Sequence, residues 1–169
     1  MDVHRILAID PGTNCGYAWL DITHATGCHV TPLPNQAGVW DLSLKRHEGG
    51  GMRYLRVRKY LAEVEPSVVL YEEVASHKGT AAAHVYGGIV SQIQVYCEER
   101  DPKIPYTGVP VGTIKKRATG KGNANKDAMM AAATSNFCKN DDPPIEDDNI
   151  ADALWLLQVG LDEYAHLFV

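Results

Sequence analysis

The chain has 169 residues, 45% hydrophobic and 22% charged, enough for one compact domain with its own core and too few for two full ones. Its net charge is −5, from 16 Lys and Arg against 21 Asp and Glu, which argues against a nucleic acid or anionic membrane held by overall charge alone. The acidity is local: residues 140–169 carry eight acids and no Lys or Arg, which leaves 16 bases against 13 acids, net +3, for everything before them. No apolar run approaches the roughly 20 residues of a membrane span, and the start lacks a signal-peptide layout, so a cytoplasmic setting is expected. The four cysteines, Cys15, Cys28, Cys97 and Cys138, form no Cys-x-x-Cys pair and read as idle or buried thiols rather than a zinc or redox site.

In chain order, Arg5 to Asp10 is a short apolar run ended by Pro11-Gly12, and Gly16 to Leu20 resumes it, which predicts a hairpin. Ala37 to Leu42 reads as a third strand. After Gly49-Gly50-Gly51 the spacing of Met52, Leu55, Val57, Tyr60, Leu61 and Val64 predicts an amphipathic helix whose other face carries Arg53, Arg56, Arg58 and Lys59. Pro66 stops that helix, and Ser67 to Tyr71 follows as a buried strand running into Glu72-Glu73. Thr80 to Glu99 is expected to be a long helix, Pro102 to Pro110 a loop with a short strand, and Lys126 to Phe137 and Ile150 to Phe168 two more helices. Early strands followed by helices alternating with short strands give an α/β fold around a central mixed sheet flanked by helices, in a single domain spanning 1–169.

Three sets of acids stand out against this frame. Asp10 closes a buried strand, where it either opens the turn Asp10-Pro-Gly-Thr13 or does chemistry. Glu72, beside Glu73, repeats the pattern at the end of a second buried strand, where a solvated terminus is the bland alternative. Asp147, Asp148 and Asp152 sit at the start of the last helix; one of the first two can cap it, but Asp148 and Asp152, four apart, share a face and repel each other. Asp152 lies among Ile150, Ala151, Ala153 and Leu154, a poor place for a merely structural acid. Such oxygen-rich groups suit hard ions such as Mg²⁺ or Mn²⁺, and paired ions activate water and stabilise the leaving oxygen in phosphodiester cleavage. Glycosidase chemistry needs only two carboxylates and leaves the rest unexplained. The stretch from Lys115 to Lys126 holds five bases, Lys115, Lys116, Arg117, Lys121 and Lys126, and no acid. With Gly120, Gly122 and Asn123 interleaved and a helix start adjoining, it reads as a phosphate-backbone contact rather than only a solvated face.

Ile9-Asp-Pro-Gly-Thr13 with Gly16-Tyr17, Tyr71-Glu-Glu-Val74, Ala118 to Lys126 and Ala151-Asp-Ala-Leu154 together resemble, in the same order, the RuvC-like Holliday junction resolvases. The resemblance implies an RNase H-like fold and a homodimeric endonuclease that makes paired symmetric nicks in a four-way DNA junction with two Mg²⁺ or Mn²⁺ ions. By motif position Asp10, Glu72 and Asp152 match the family's catalytic, metal-holding acids. Lys126, and more loosely Lys115 or Lys116, match its DNA-contacting bases. Two departures stand out. The family's fourth acid lies three residues before the last, where this chain has Asn149, so Asp148 is expected to supply that carboxylate, with Asn149 a neutral oxygen ligand. Bacterial members often carry an aromatic wedge shortly after the mid-chain glutamate, where this chain runs Val74-Ala-Ser-His-Lys78.

The rival readings are a flap, fork or RNase H-type nuclease and a binding module that does not cleave. A sugar-kinase or actin-type ATPase would need two such lobes and is excluded by length. His77 and His84 read as surface and helix positions, and the helix Thr80 to Tyr96, with Ala81 to Ala83 and Gly87-Gly88, reads either as a dimer interface or as core.

Overall fold

The computed structural model describes residues 4–22 and 31–164. Cys28 and the last residues of the expected final helix lie outside the described residues. Strand β1 (His4–Asp10) turns into β2 (Asn14–Ile22), and β3 (Ala37–Asp41) follows after a short 3₁₀ turn at Pro34–Gln36. Then come α1 (Gly51–Val64), β4 (Val68–Glu73), α2 (Thr80–Glu98), β5 (Tyr106–Pro110), α3 (Val111–Thr119), α4 (Lys126–Phe137) and α5 (Asp148–Tyr164). The sheet order is β3-β2-β1-β4-β5: β2 is antiparallel to β1 and β3, whereas β1, β4 and β5 run parallel. The α/β reading with a mixed central sheet therefore holds.

The central strands β1 and β4 are continuously apolar because helices cover both faces of the sheet. Ile6, Ala8, Val68 and Leu70 pack into one core with Leu154, Trp155 and Leu157 of α5 and Met129 and Phe137 of α4. Leu7, Ile9, Val69 and Tyr71 pack into the other with Val57 and Leu61 of α1 and Ile89 and Ile93 of α2. This period of two, carried one step past the apolar run, decides where the terminal acids point.

Helix α1 ends at Glu65, in the left-handed region with φ 51°, whose N–H bonds the carbonyl of Leu61 before Pro66. Its basic face is taken up internally. Arg53 and Arg56 hold the carbonyls of Leu42 and Ser43, Arg56 also pairs with Glu48, Arg58 with Glu99, and Lys59 with Glu63. Helix α2 buries Ile89, Ile93, Tyr96 and Cys97, and Gly88 is needed because a Cβ there would overlap the ring of Tyr54 in α1. One face of that helix is thus core, whereas Gly87 faces open space and Ala81 and Ala82 are exposed.

Three elements differ from expectation. Strand β4 runs on through Glu73, so Glu72 is inside it rather than after it. Helix α5 starts at Asp148, two residues early, because Asp147 supplies a cap. The stretch 111–119 forms α3, unanticipated because Gly112 and Thr113 are weak helix formers and only Ile114 is buried to mark a periodic face.

Candidate active site

The parallel register of β1 and β4 pairs Ile9 with Tyr71, so the next residues, Asp10 and Glu72, stand side by side at the strand ends. Strand alternation sends both toward the core face that α5 covers, and Glu73 to the opposite side, where it is exposed. The choice between Glu72 and Glu73 is thereby made by parity. Opposite Asp10 in the hairpin lies Gly16, where a Cβ would overlap the backbone carbonyl of Asn149. Only glycine lets the first turn of α5 come this close to the strand that pairs with Asp10.

The start of α5 sorts its acids. The Asp147 carboxylate accepts the backbone N–H of Asn149 at 2.8 Å and of Ile150 at 3.4 Å, and also the Asn149 side-chain amide at 3.0 Å. Asp147 is the cap and Asn149 is tied to it. Asp148 faces the other acids and ion-pairs with Lys126 at the start of α4, and Asp152 follows one turn later. A cavity of about 130 Å³ is lined by Glu72, Asp152, Lys115, Lys126, Val111 and Met129.

The carboxylates strain one another. Burial, then Glu72, Asp152 and Asp148, hold the Asp10 carboxyl well above its ordinary range, with Lys126 opposing. Burial and Asp152 push Glu72 from 4.5 up to about 7, against Lys115. Burial and Asp148 push Asp152 from 3.8 up to about 6, against Lys115 and Lys126. In return, its bond to Asp148 raises the Lys126 ammonium. Two ammonium groups do not offset four half-buried carboxylates.

Among the described residues, no group of three or more His, Cys, Asp or Glu side chains is arranged as an ion site as it stands. The donor chemistry nonetheless fits a hard cation, since every group facing the cluster is a carboxylate and each stays protonated longer for want of positive charge. The adjacent Cys15 thiol is pushed far up by burial and is no thiolate ligand.

Of the basic residues singled out in the sequence, Lys115 and Lys126 line the cavity. Lys116, Lys121 and Asn123 are exposed. Arg117 turns away, held by Asp162 of α5 at 2.5 Å with its guanidinium 5.8 Å from the Trp155 ring centre. Gly120 (φ 77°) is the left-handed cap of α3, and Gly122 lies close over Gly112. Asn125, not singled out in the sequence, caps α4 by accepting the N–H of Ala128 at 2.9 Å.

Tyr86 was also missed. Its hydroxyl accepts the Val74 N–H at 3.1 Å and donates to the Glu72 carbonyl at 3.0 Å, so a residue of α2 holds the strand end that bears Glu72. Nothing in the sequence marks it apart from being an aromatic on a helix. His77 is half-buried against Tyr86 rather than on the open surface, and His84 is exposed on α2.

A five-stranded mixed sheet with carboxylates gathered where β1, β4 and α5 meet defines the class as an RNase H-like α/β domain. Among solved structures the fold is that of the RuvC resolvases. Thermus thermophilus RuvC superposes with a TM-score of 0.69 at 21% identity, covering 96% of this chain and 96% of that one. T. thermophilus RuvC in complex with a Holliday junction substrate matches at 0.67 and 20% identity over 98% of this chain and 95% of the other. The yeast mitochondrial Holliday junction resolvase Ydc2 matches at 0.57 and 14% identity over 98% and 83%. No family profile and no curated sequence matches the chain. No helix among the described residues is long and apolar enough to cross a membrane.

Proposed function

We propose that this chain is a DNA endonuclease that resolves four-way junctions by paired symmetric nicks, using Mg²⁺ or Mn²⁺. The observation that carries the reading is the gathering of Asp10, Glu72, Asp148 and Asp152 at one sheet end, under-neutralised by Lys115 and Lys126. Asp10 and Glu72 from the strands, with Asp148 and Asp152 from α5, are the residues that would hold the ions. Two bound ions supply a nucleophilic hydroxide from water near neutral pH and offset charge on the leaving oxygen.

The chain's own part is positioning. Lys115 and Lys126 stand at the cavity rim, where their ammonium groups meet the scissile phosphate and stabilise the charge that builds on it. Lys116, Lys121 and Asn123 extend that contact along the DNA backbone, whereas Arg117 is committed to Asp162. Attack in line expels the 3′ oxygen and leaves a ligatable nick. Paired nicks across a two-fold junction need two sites, so the working form is a homodimer, with the exposed N-terminal part of α2 as its candidate contact.

A second reading, a nuclease of broader flap, fork or hybrid specificity, is favoured by the stretch Val74 to Lys78, which offers no Phe, Tyr or Trp to hold a junction open. A panel of labelled four-way junction, flap, fork, duplex and RNA–DNA hybrid substrates, each with Mg²⁺, Mn²⁺ or EDTA, separates the two. Symmetric nicks confined to the junction are expected, and efficient hybrid cutting would overturn the resolvase reading. Asp10→Asn should abolish nicking and keep DNA binding; metal-dependent nicking by that variant would remove Asp10 from the assignment.

A further inference from the structure

Against the same strand ends, beside the opposite core, lies a second cavity of about 280 Å³. Its walls are the turn Pro11 to Thr13, His77, and Ala82, Val85 and Tyr86 of α2. Pro11 directly follows Asp10, so the two cavities are separated by little more than the end of β1. Tyr86 belongs to both sides, because its ring lines this cavity while its hydroxyl holds the Glu72 carbonyl.

The lining selects a class of ligand. Its only titratable side chains are His77 and the Tyr86 phenol, so it has no Lys or Arg for a phosphate and no carboxylate for a cation. It offers apolar walls and two rings, His77 tilted at 47° on Tyr86 with centroids 4.6 Å apart. The volume falls just below the roughly 300 Å³ at which pockets for drug-sized ligands begin, which suits one planar ring system. The His77 Nε2 is shielded from solvent and has no hydrogen-bond partner. A buried polar atom left unpaired is uncommon and costly, and His77 is held by a ring contact that lets it turn its edge inward. Enzymes that draw a base out of the stack receive it between aromatic and apolar side chains and read its edge by hydrogen bonds.

We infer that this cavity receives one unstacked nucleobase of the DNA strand that crosses the carboxylates, and that His77 reads its edge. The inference rests on the nuclease reading and adds to it a source of base preference at the cleavage point. Through Tyr86, a seated base also bears on the strand end that carries Glu72.

The test uses the full chain carrying Asp10→Asn, with four-way and forked DNA in which 2-aminopurine occupies each position near the branch in turn. Binding is followed by anisotropy and unstacking by 2-aminopurine fluorescence. One position should brighten on binding. Filling the cavity with Ala82→Phe, or the milder Ala82→Leu, should abolish that brightening while binding persists. In the otherwise wild-type enzyme, His77→Ala should reduce a base preference at the cut site by about tenfold, the worth of one unpaired polar contact. DNA that is bound and cut with no brightening anywhere, or with brightening indifferent to both filling variants, overturns the pocket and leaves the nuclease reading intact. Failure to bind or cut any branched DNA removes the nuclease reading and the pocket with it.

Discussion

Replacing Asp152 by Asn should make the metal-free protein more stable at alkaline pH while destroying its activity. Asp152 is half-buried among buried alanines, with Asp148 one turn away and Asp10 and Glu72 facing it. Its carboxyl is raised from 3.8 to about 6, first by burial and then by Asp148. At about 1.4 kcal/mol per tenfold change in proton affinity, full ionisation in the folded state costs at most roughly 3 kcal/mol. Relaxation and solvent access reduce that to roughly 1.5–3 kcal/mol. The sign follows from linkage. A carboxyl raised in the folded state is protonated in both states below pH 3.8, so it costs nothing there; the cost grows as pH rises and is complete above about 6. The asparagine keeps the shape without the charge and also relieves Asp10 and Glu72, both of which Asp152 raises. For a chain of this size 1 kcal/mol shifts Tm by about 2–4 °C, so Asp152→Asn should melt about 4–8 °C above wild type at pH 8 in EDTA. The gain should shrink toward zero near pH 4. Melting curves across that range, by fluorimetry or calorimetry, measure it directly. A variant no more stable than wild type at pH 8 would refute the claim that the carboxylates strain one another.

Three further outcomes follow from the same geometry. Mg²⁺ or Mn²⁺ at about a hundred times its Kd should stabilise the wild type by about 2.7 kcal/mol, and Asp152→Asn should lose most of that gain; equal shifts in both would mean the ions bind elsewhere. Gly16→Ala places a methyl group against the Asn149 carbonyl, and overpacking of this kind costs about 1–3 kcal/mol. Melting should show that loss, with nicking impaired even where the variant is folded; full activity would mean the start of α5 is not held by this contact. Lys115→Ala should lower the slope of log DNA affinity against log salt by about one, whereas Arg117→Ala, whose partner is Asp162, should leave it unchanged and cost under about 1 kcal/mol of stability. A titration that reversed these two would invert the assignment of the basic face.

Much of this was readable from residue order because the decisive signals are short-range. Continuous apolar runs ending in an acid mark β1 and β4, and the run around Asp152 leaves that acid no other structural excuse. Glu72 could have been chosen over Glu73 by counting strand parity once the run was known to continue as strand. Other features depend on contacts across the fold. Arg117 lies two residues from Lys115, yet a helix turns the pair to different sides, and α3 itself carries one buried residue and weak formers at its start. The cavity beside His77 unites a hairpin turn with a helix some seventy residues away, and Gly16 looks like an ordinary turn glycine until Asn149 is set against it. Residues acting in pairs across long separations leave no periodic trace in the chain.

The strands at the two margins of the sheet, β3 and β5, are only five residues long, and β5 is bracketed by Pro105 and Pro110. Proline has no N–H to offer, and a short margin gives little template for another chain. The long apolar strands β1 and β4, which would be adhesive if bare, are enclosed at the centre. The folded protein is therefore guarded against strand-by-strand aggregation, and the hazard falls on partly unfolded molecules in which β1 or β4 is exposed. Concentrating the native protein should be safe at temperatures where heating it into its melting transition would precipitate it.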